Sequence, residues 1–137
     1  MPVATQRPVL NSPRRAALLT ALVWAFWHTG FHIAGVGFPA HLKLLGVLFA
    51  GPALLIGLGI FNGWLFARSK SIWVVSLCHA SANTWSQFPL QFVDVPGDVE
   101  GAVLSAIGAG FLLLGAIAYF VLRWPSPSTP AASEAHA

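Results

Sequence analysis

His79 and Asn83 are hydrogen-bonding side chains that lie one helical turn apart in residues 71–85, a segment otherwise suited to lipid. A third polar residue, His28, follows Trp24-Ala-Phe-Trp in an earlier apolar stretch of the chain. Polar side chains are costly in hydrocarbon and usually mark a functional site there. Two histidines and an amide in such segments suggest chemistry at membrane depth.

The composition favours a bilayer as the environment of these residues. Of the 137 residues, 56% are apolar and 8% are charged, whereas a soluble domain carries about a quarter charged residues. The formal net charge is only +3, and no basic cluster interleaves with aromatic residues. We therefore exclude a nucleic-acid partner and expect the lipid bilayer to surround the chain.

Four apolar blocks are each close to the length of about 20 residues that crosses a bilayer core. They predict an all-α fold, a polytopic membrane helical bundle with about four transmembrane helices. The blocks cover residues 16–36, 44–66, 72–92 and 102–122. The first and third blocks carry the polar residues, which need a protein interior or a water-filled cavity. We therefore expect the first and third helices to lie together.

The basic residues set the expected orientation. Six of the seven fall on one side of the bundle, namely Arg7, Arg14, Arg15, Arg68, Lys70 and Arg123. The positive-inside rule then predicts a multi-pass protein of the cell membrane with both termini in the cytoplasm. The chain divides into a cytoplasmic segment that leads into the first helix (1–13), a four-span membrane domain (14–124) and a proline-rich tail (125–137). We expect the tail to be cytoplasmic and disordered.

Helical periodicity places the polar residues of each block on one face. Ser76, His79 and Asn83 follow spacings of three and four residues in the third block, and Trp24 and His28 are four residues apart in the first. Residues at these spacings are neighbours on a helix surface. Each of the two helices therefore presents a polar stripe to a small cavity between them.

The two histidines also reach comparable depths. His28 lies about 20 Å along its helix from Arg15, and His79 lies about 13 Å from Lys70. Both positions fall near the middle of a core about 30 Å thick. We predict that His28, His79 and Asn83 converge in one catalytic site.

Each polar residue also has a structural alternative. Histidine, asparagine and serine often form hydrogen bonds between membrane helices without any catalytic role. We favour that interpretation for His32, one turn after His28, over an i, i+4 ligand pair. His41 follows Pro39 and is interpreted as a loop residue.

Small residues four positions apart predict close helix contacts in the second and fourth blocks. They are Gly59 and Gly63, and Ala102, Ala106 and Gly110. The contacts lie either within one bundle or at a dimer face, and both alternatives stay open. Pro52 predicts a kink in the second block.

Two motifs resemble those of the CPBP intramembrane proteases, a family that includes CAAX prenyl endopeptidases, abortive-infection proteins and bacteriocin-immunity proteins. Family members carry an aromatic residue followed after three residues by histidine, here Trp24-Ala-Phe-Trp-His28. A later His-xxx-Asn motif is here His79-Ala-Ser-Ala-Asn83. The intervening sequence is similar too, and the resemblance covers residues 2–92.

One family motif is missing. A Glu-Glu pair followed after three residues by arginine precedes the histidine motifs in the family, and this sequence does not contain it. Pro2-Val-Ala-Thr-Gln-Arg-Pro resembles the turn that follows that motif in relatives. We therefore expect the chain to be the carboxy-terminal portion of such a protease.

The resemblance implies an intramembrane endopeptidase that cleaves a membrane-embedded or prenylated peptide. In the family, the motif glutamate and the counterpart of His28 activate water, while the counterparts of His79 and Asn83 stabilise the oxyanion. Without the glutamate the general base is missing, so we predict no peptidase activity for the isolated chain. A divalent metal such as zinc, bound by His28 and His79, would be another activator of water, but two histidines and an amide make a poor zinc site.

Other functions are weaker alternatives. A non-catalytic membrane-binding or bacteriocin-immunity-like protein would keep the cavity without the chemistry. A small transporter is disfavoured because no repeat is visible. Neither Glu100, in the loop before the fourth block, nor Cys78 replaces the glutamate, since Cys78 and His79 point about 100° apart on a helix.

Overall fold

The described part of the chain is built from helices. The computed structural model describes residues 12–34, 42–92 and 96–126. The helices are α1 (Pro13–Ile33), α2 (Lys43–Leu45), α3 (Gly51–Ser69), α4 (Ile72–Phe92) and α5 (Gly97–Phe120), with a π-helical stretch, Gly46–Ala50, between α2 and α3. No strand occurs in these ranges. The all-α prediction is confirmed, and the long helices correspond to the four predicted blocks.

The second predicted block is irregular near its start. Pro52 has no backbone N–H, and its ring clashes with the carbonyl four residues earlier in a regular helix. In the π-helical stretch before it, the N–H of Gly51 donates to the carbonyl of Gly46, a spacing of five residues. The disturbance predicted at Pro52 takes the form of this wider turn.

Small residues allow α1 to pack closely against α3. A Cβ added to Gly59 would lie 2.7 Å from the Cβ of Ala21, and a Cβ added to Gly63 would overlap the side chain of Ala17. The later glycine meets the earlier alanine, so the two helices are antiparallel. Gly59 and Gly63 therefore pack within the bundle, which is one of the two alternatives predicted for them.

A second set of glycines brings α5 against α3 in parallel orientation. A Cβ on Gly57 would overlap the backbone of Phe111, and a Cβ on Gly115 would lie 2.6 Å from the Cα of Gly57. One turn or more earlier on both helices, a Cβ on Gly108 would lie 3.0 Å from the carbonyl oxygen of Ala50. These backbone contacts fix the register of the two most apolar helices.

The small residues predicted to mediate this α5 contact are on a different face. A Cβ on Gly110 would meet no atom within 4 Å, and Ala102 and Ala106 are exposed. Of the two alternatives predicted for these three residues, contact within the bundle does not occur in the described part of the chain. The reason is that alanine and glycine are frequent throughout α5, so spacing alone did not identify the packed face.

The surface of the bundle is suited to lipid. Phe26 and Trp73 are 82% and 77% exposed, and many other large apolar side chains are exposed with them. Apolar surface of this extent marks contact with a membrane or another apolar partner. Two stretches, Gly46–Ser69 and Val99–Phe120, are long and apolar enough to cross a membrane. The fold is that of an all-α membrane helical bundle.

One end of the bundle gathers basic residues. The Arg14 guanidinium lies over the ring of Tyr119, 5.4 Å from its centre. The indole N–H of Trp64 donates to the carbonyl of Arg123 over 3.3 Å. The start of α1 and the ends of α3 and α5 therefore meet at this end of the bundle. The basic residues at this end are Arg14, Arg15, Arg68, Lys70 and Arg123.

Candidate active site

The α1 helix contributes His28 and Trp24 to the candidate site. His28 Nδ1 lies 3.0 Å from the carbonyl oxygen of Trp24. A carbonyl only accepts hydrogen bonds, so Nδ1 carries the proton and donates it. In the neutral ring this leaves Nε2 unprotonated. His28 is half-buried, and its Nε2 is the nitrogen able to accept a proton.

The α4 helix contributes His79 and Asn83. The Asn83 side-chain amide N–H donates to Nε2 of His79 over 3.0 Å. Because Nε2 is the acceptor, the neutral His79 ring carries its proton on Nδ1. Asn83 keeps a second amide N–H and is exposed, whereas His79 is half-buried. The two residues of the predicted His-xxx-Asn motif are therefore hydrogen-bonded to each other, and the pair keeps the second amide N–H of Asn83 and the ring N–H of His79 as further donors.

The ring of Trp24 links the two helices. It lies 5.2 Å from the His28 ring centre and 5.3 Å from the His79 ring centre. The two imidazole rings are therefore no more than 10.5 Å apart, the sum of these distances. The structure thus brings His28, His79 and Asn83 to one place, and Trp24 is the residue through which α1 and α4 meet there.

Gly59 of α3 gives Trp24 its position. A Cβ on Gly59 would lie 3.4 Å from Cε3 of the Trp24 ring. The glycine lets α1 approach α3 closely enough for the indole to lie across the helix. The central helix thereby supports the site without contributing to the histidine pair.

Other predicted polar residues do not join this group in the described part of the chain. Ser76 is exposed, and the Ser86 hydroxyl donates to the carbonyl of Asn83 over 3.3 Å, a local helix contact. The side chain of His32 and all of His41 lie outside the described residues. Cys78 is half-buried on α4 and forms no disulfide.

A polar residue outside the predicted set is buried in α3. Asn62 is 9% exposed, and its Oδ1 accepts no hydrogen bond from any described residue. An asparagine in the middle of an apolar block is the same signal that drew attention to His79 and Asn83. The sequence analysis missed it because no motif or repeat spacing includes it.

The described residues do not fit a catalytic zinc ion. Such an ion typically has three histidine, carboxylate or cysteine ligands, and no group of three such residues converges in the described ranges. The Nε2 atom of His79 is also engaged by Asn83. His28 and His79 as metal ligands stay an untested prediction, and we derive no step through a metal.

Glu100 is far from the histidines. Gly115 of α5 lies level with Gly57 of α3, so the position level with Gly59 and the Trp24 ring is two residues further along. Glu100 precedes that position by about 25 Å of helix. This carboxylate does not belong to the site, as predicted from the sequence.

The fold and the site define an all-α membrane helical bundle in which two histidines and an asparagine gather around the ring of Trp24. A family model described as type II CAAX prenyl endopeptidase Rce1-like matches residues 1–85. The match includes both histidine motifs and more than half of the chain. The chain belongs to this family. No curated protein and no solved structure gave a match.

Proposed function

We propose that this chain is the histidine-bearing part of an intramembrane endopeptidase that processes CAAX-type proteins. The observation that carries the proposal is the arrangement of His28 and the His79–Asn83 pair against the ring of Trp24. Family membership supports a membrane-embedded peptide as the substrate class. A prenylated peptide is the form of substrate that the family description favours.

His28 is the residue that we propose to assist in activating water. Its Nδ1–H is held by the Trp24 carbonyl, which keeps Nε2 free to accept a proton from a water molecule. Positioned acid–base groups of this kind contribute about 10²–10⁴-fold to rate. The family pattern implies that the His28 imidazole activates water together with a glutamate, so it needs an acidic partner.

The His79–Asn83 pair is the proposed oxyanion-binding side. After their mutual hydrogen bond, the N–H groups left are the second amide N–H of Asn83 and the ring N–H of His79. A donor aimed at a developing oxyanion contributes about 3–4 kcal/mol of transition-state stabilisation. These donors stabilise negative charge but do not generate the nucleophile.

We propose that the acid comes from outside the printed sequence. That sequence contains no Glu-Glu-xxx-Arg motif, and Glu100 is remote from Trp24. The 137-residue polypeptide alone is therefore inactive as a peptidase, and a polypeptide that also carries the acidic motif is active.

Cleavage of a prenylated peptide by purified protein tests this proposal. We expect no turnover by the 137-residue polypeptide and clear turnover by a longer polypeptide that includes the acidic motif. In the longer polypeptide, His28→Ala and His79→Ala should each lower kcat by at least about 100-fold, because each removes an acid–base or oxyanion group.

Gly110→Ala is the matched control, because a Cβ at Gly110 would meet no atom within 4 Å. Its kcat should stay near the wild-type value. Turnover by the 137-residue polypeptide that His79→Ala abolishes would contradict the missing acid. Full activity in either histidine variant would refute the site.

A second candidate is a non-catalytic membrane-binding or immunity-like protein. The lack of the acidic motif in the printed sequence favours it. Two variants distinguish this candidate from the peptidase. For a non-catalytic protein, Asn83→Ala keeps the binding or protective phenotype, whereas Gly59→Leu, which separates α1 from α3, loses it.

A further inference from the structure

Asn62 is the buried polar group for which the proposed chemistry has no role. Its side-chain oxygen accepts no hydrogen bond from any described residue, although the residue is 9% exposed. Buried polar atoms in native proteins nearly always have a partner. In an apolar bundle the missing partner is especially costly, because lipid offers no donor.

His79 has the complementary group. Its Nε2 accepts from Asn83, so the proton of the neutral ring is on Nδ1. No hydrogen bond from that Nδ1–H occurs within the ranges the structure describes. One ring donor and one amide acceptor are therefore both unmatched.

The two groups lie at the same depth. The α3 and α4 helices form an antiparallel hairpin joined through Lys70. Asn62 is eight residues before Lys70 and His79 is nine residues after it. At about 1.5 Å per residue, these positions are about 12 Å and 13 Å from the turn.

Helical geometry places Asn62 on the side of α3 away from the α5 contact, and we infer that this is the side on which α4 packs. It is turned about 140° from Gly57, which contacts α5, and about 60° from Gly59, which contacts α1 and Trp24. The α4 helix packs against α3 and meets α1 where His79 contacts Trp24. Asn62 therefore points to the space bounded by α1 and α4.

The bundle-facing stripe of α4 includes His79. The half-buried positions of this helix recur at helical spacing, and they are Val75, Cys78, His79, Ala82 and Ser86. Of these, His79 carries the strong donor that is not already engaged, since the Ser86 hydroxyl donates to the carbonyl of Asn83 and a cysteine S–H is a weak donor. Cys78 is the competing partner on α4 that an experiment must exclude.

We propose that Asn62 is a positioning residue for His79, whose Nδ1–H donates a hydrogen bond to the Asn62 side-chain oxygen. The bond forms when either side chain rotates towards the other, and it creates a relay from Asn62 through the imidazole to Asn83. The ring is thereby held as the Nδ1–H tautomer with Nε2 facing Asn83. In this relay the ring N–H of His79 is used by Asn62 and no longer faces the oxyanion. The second amide N–H of Asn83 is then the remaining oxyanion donor of the pair, and His79 supports it by orienting Asn83.

The role of this relay in catalysis rests on the proposed oxyanion role of His79 and Asn83. Its test, however, measures only the tautomer of the His79 ring. Nitrogen-15 NMR of histidine-labelled protein in detergent distinguishes the Nδ1–H from the Nε2–H tautomer. The His79 signals are assigned by their loss in His79→Asn. We expect the wild-type ring to be in the Nδ1–H form, whatever the peptidase activity of the sample.

Asn62→Leu removes the acceptor while keeping an apolar side chain in an apolar place. We expect His79 to shift to a mixture of tautomers in this variant. Asn62→Asp keeps an oxygen at the same position and should retain the Nδ1–H form. Leu58→Ala, one turn away on the same buried face, changes packing only and should leave the tautomer unchanged.

Several outcomes would overturn the proposal. A wild-type His79 in the Nε2–H form would exclude the bond, and so would an unchanged tautomer in a folded Asn62→Leu variant. If Asn62→Leu does not fold, Asn62→Asp and Leu58→Ala are compared instead. Loss of the Nδ1–H tautomer of His79 in Asn62→Asp would then contradict the proposed hydrogen bond. If Cys78→Ala shifts the His79 tautomer as much as Asn62→Leu does, the hydrogen-bond partner of Asn62 is the Cys78 thiol rather than His79.

Discussion

The histidines depend on their neighbours for proton placement. His28 is held as one tautomer by the carbonyl one turn before it, and His79 is held as another by the amide one turn after it. Each bond is local to its helix and joins residues four positions apart in the sequence. Among the described residues, only the indole of Trp24 lies against both rings and connects them across helices. Contact with Trp24 is therefore what makes the two histidines parts of one site rather than two separate residues.

Replacing Trp24 tests this role. Trp24→Ala should change the ring-proton NMR signals of both His28 and His79, because the indole lies against both rings. The half-buried indole also contributes to packing, so the free energy of unfolding should fall by about 2 kcal/mol, less than for a fully buried tryptophan. Thermal unfolding in detergent gives the second quantity.

Trp27 provides the control. Its ring contacts His28 at 4.8 Å and it is 61% exposed. Trp27→Ala should alter the His28 signals, leave those of His79 in place and change stability little. An unaltered His79 spectrum in Trp24→Ala would show that the indole does not join the helices in solution.

Helix packing depends on a few backbone contacts. The α3 helix is central, with α1 against Gly59 and Gly63 and α5 against Gly57. In a membrane, helices associate through close packing rather than through the hydrophobic effect, so small residues at the contacts carry much of the association. The glycine positions thereby determine how near α1, and with it His28, comes to the rest of the bundle.

A pair of matched glycine variants tests these contacts. Gly57→Ala and Gly110→Ala both gain up to about 1 kcal/mol of helix propensity. At Gly57 the new methyl group meets the backbone of Phe111, which cannot move aside. Overpacking of this kind costs about 1–3 kcal/mol or more, so we expect Gly57→Ala to lower the unfolding temperature and Gly110→Ala to keep or raise it.

Thermal unfolding followed by circular dichroism measures both variants under the same detergent conditions. Equal behaviour of the two would mean that α3 and α5 are not in close contact. A change of oligomeric state in Gly110→Ala would instead support the dimer face that the spacing of Ala102, Ala106 and Gly110 left open.

The whole molecule has a charged end and an apolar body. The start of α1 and the ends of α3 and α5 meet at the basic end, and large apolar side chains cover the sides. The α3 and α5 helices run in the same direction, and α1 runs in the opposite direction to both. From the positive-inside rule we predict that the basic end faces the cytoplasm.

Topology reporters test that orientation. Green fluorescent protein fused after Ala137 should fluoresce in cells, and alkaline phosphatase fused at the same position should be inactive, because both results mark the cytoplasmic side. Fusions inserted between α4 and α5 should give the reverse pattern. Active phosphatase after Ala137 would contradict the assignment of both termini to the cytoplasm.

Local patterns were sufficient for the helices and the motifs. The four blocks correspond to α1, α3, α4 and α5 because a bilayer core sets their length. The His79–Asn83 bond follows from a spacing of four residues on one helix. Packing partners were harder to predict, since Ala102, Ala106 and Gly110 match the small-residue pattern as well as Gly59 and Gly63 do.

The sequence by itself determined the all-α class, the polar residues at membrane depth and the pairing of His79 with Asn83, because these depend on composition and on contacts within one turn. Only the tertiary structure decided that Trp24 lies against both histidines, that α5 packs through Gly108 and Gly115, and that Asn62 is buried. These features depend on how helices distant in the chain rotate about their axes. That rotation is fixed by backbone contacts between helices, which no single helix encodes.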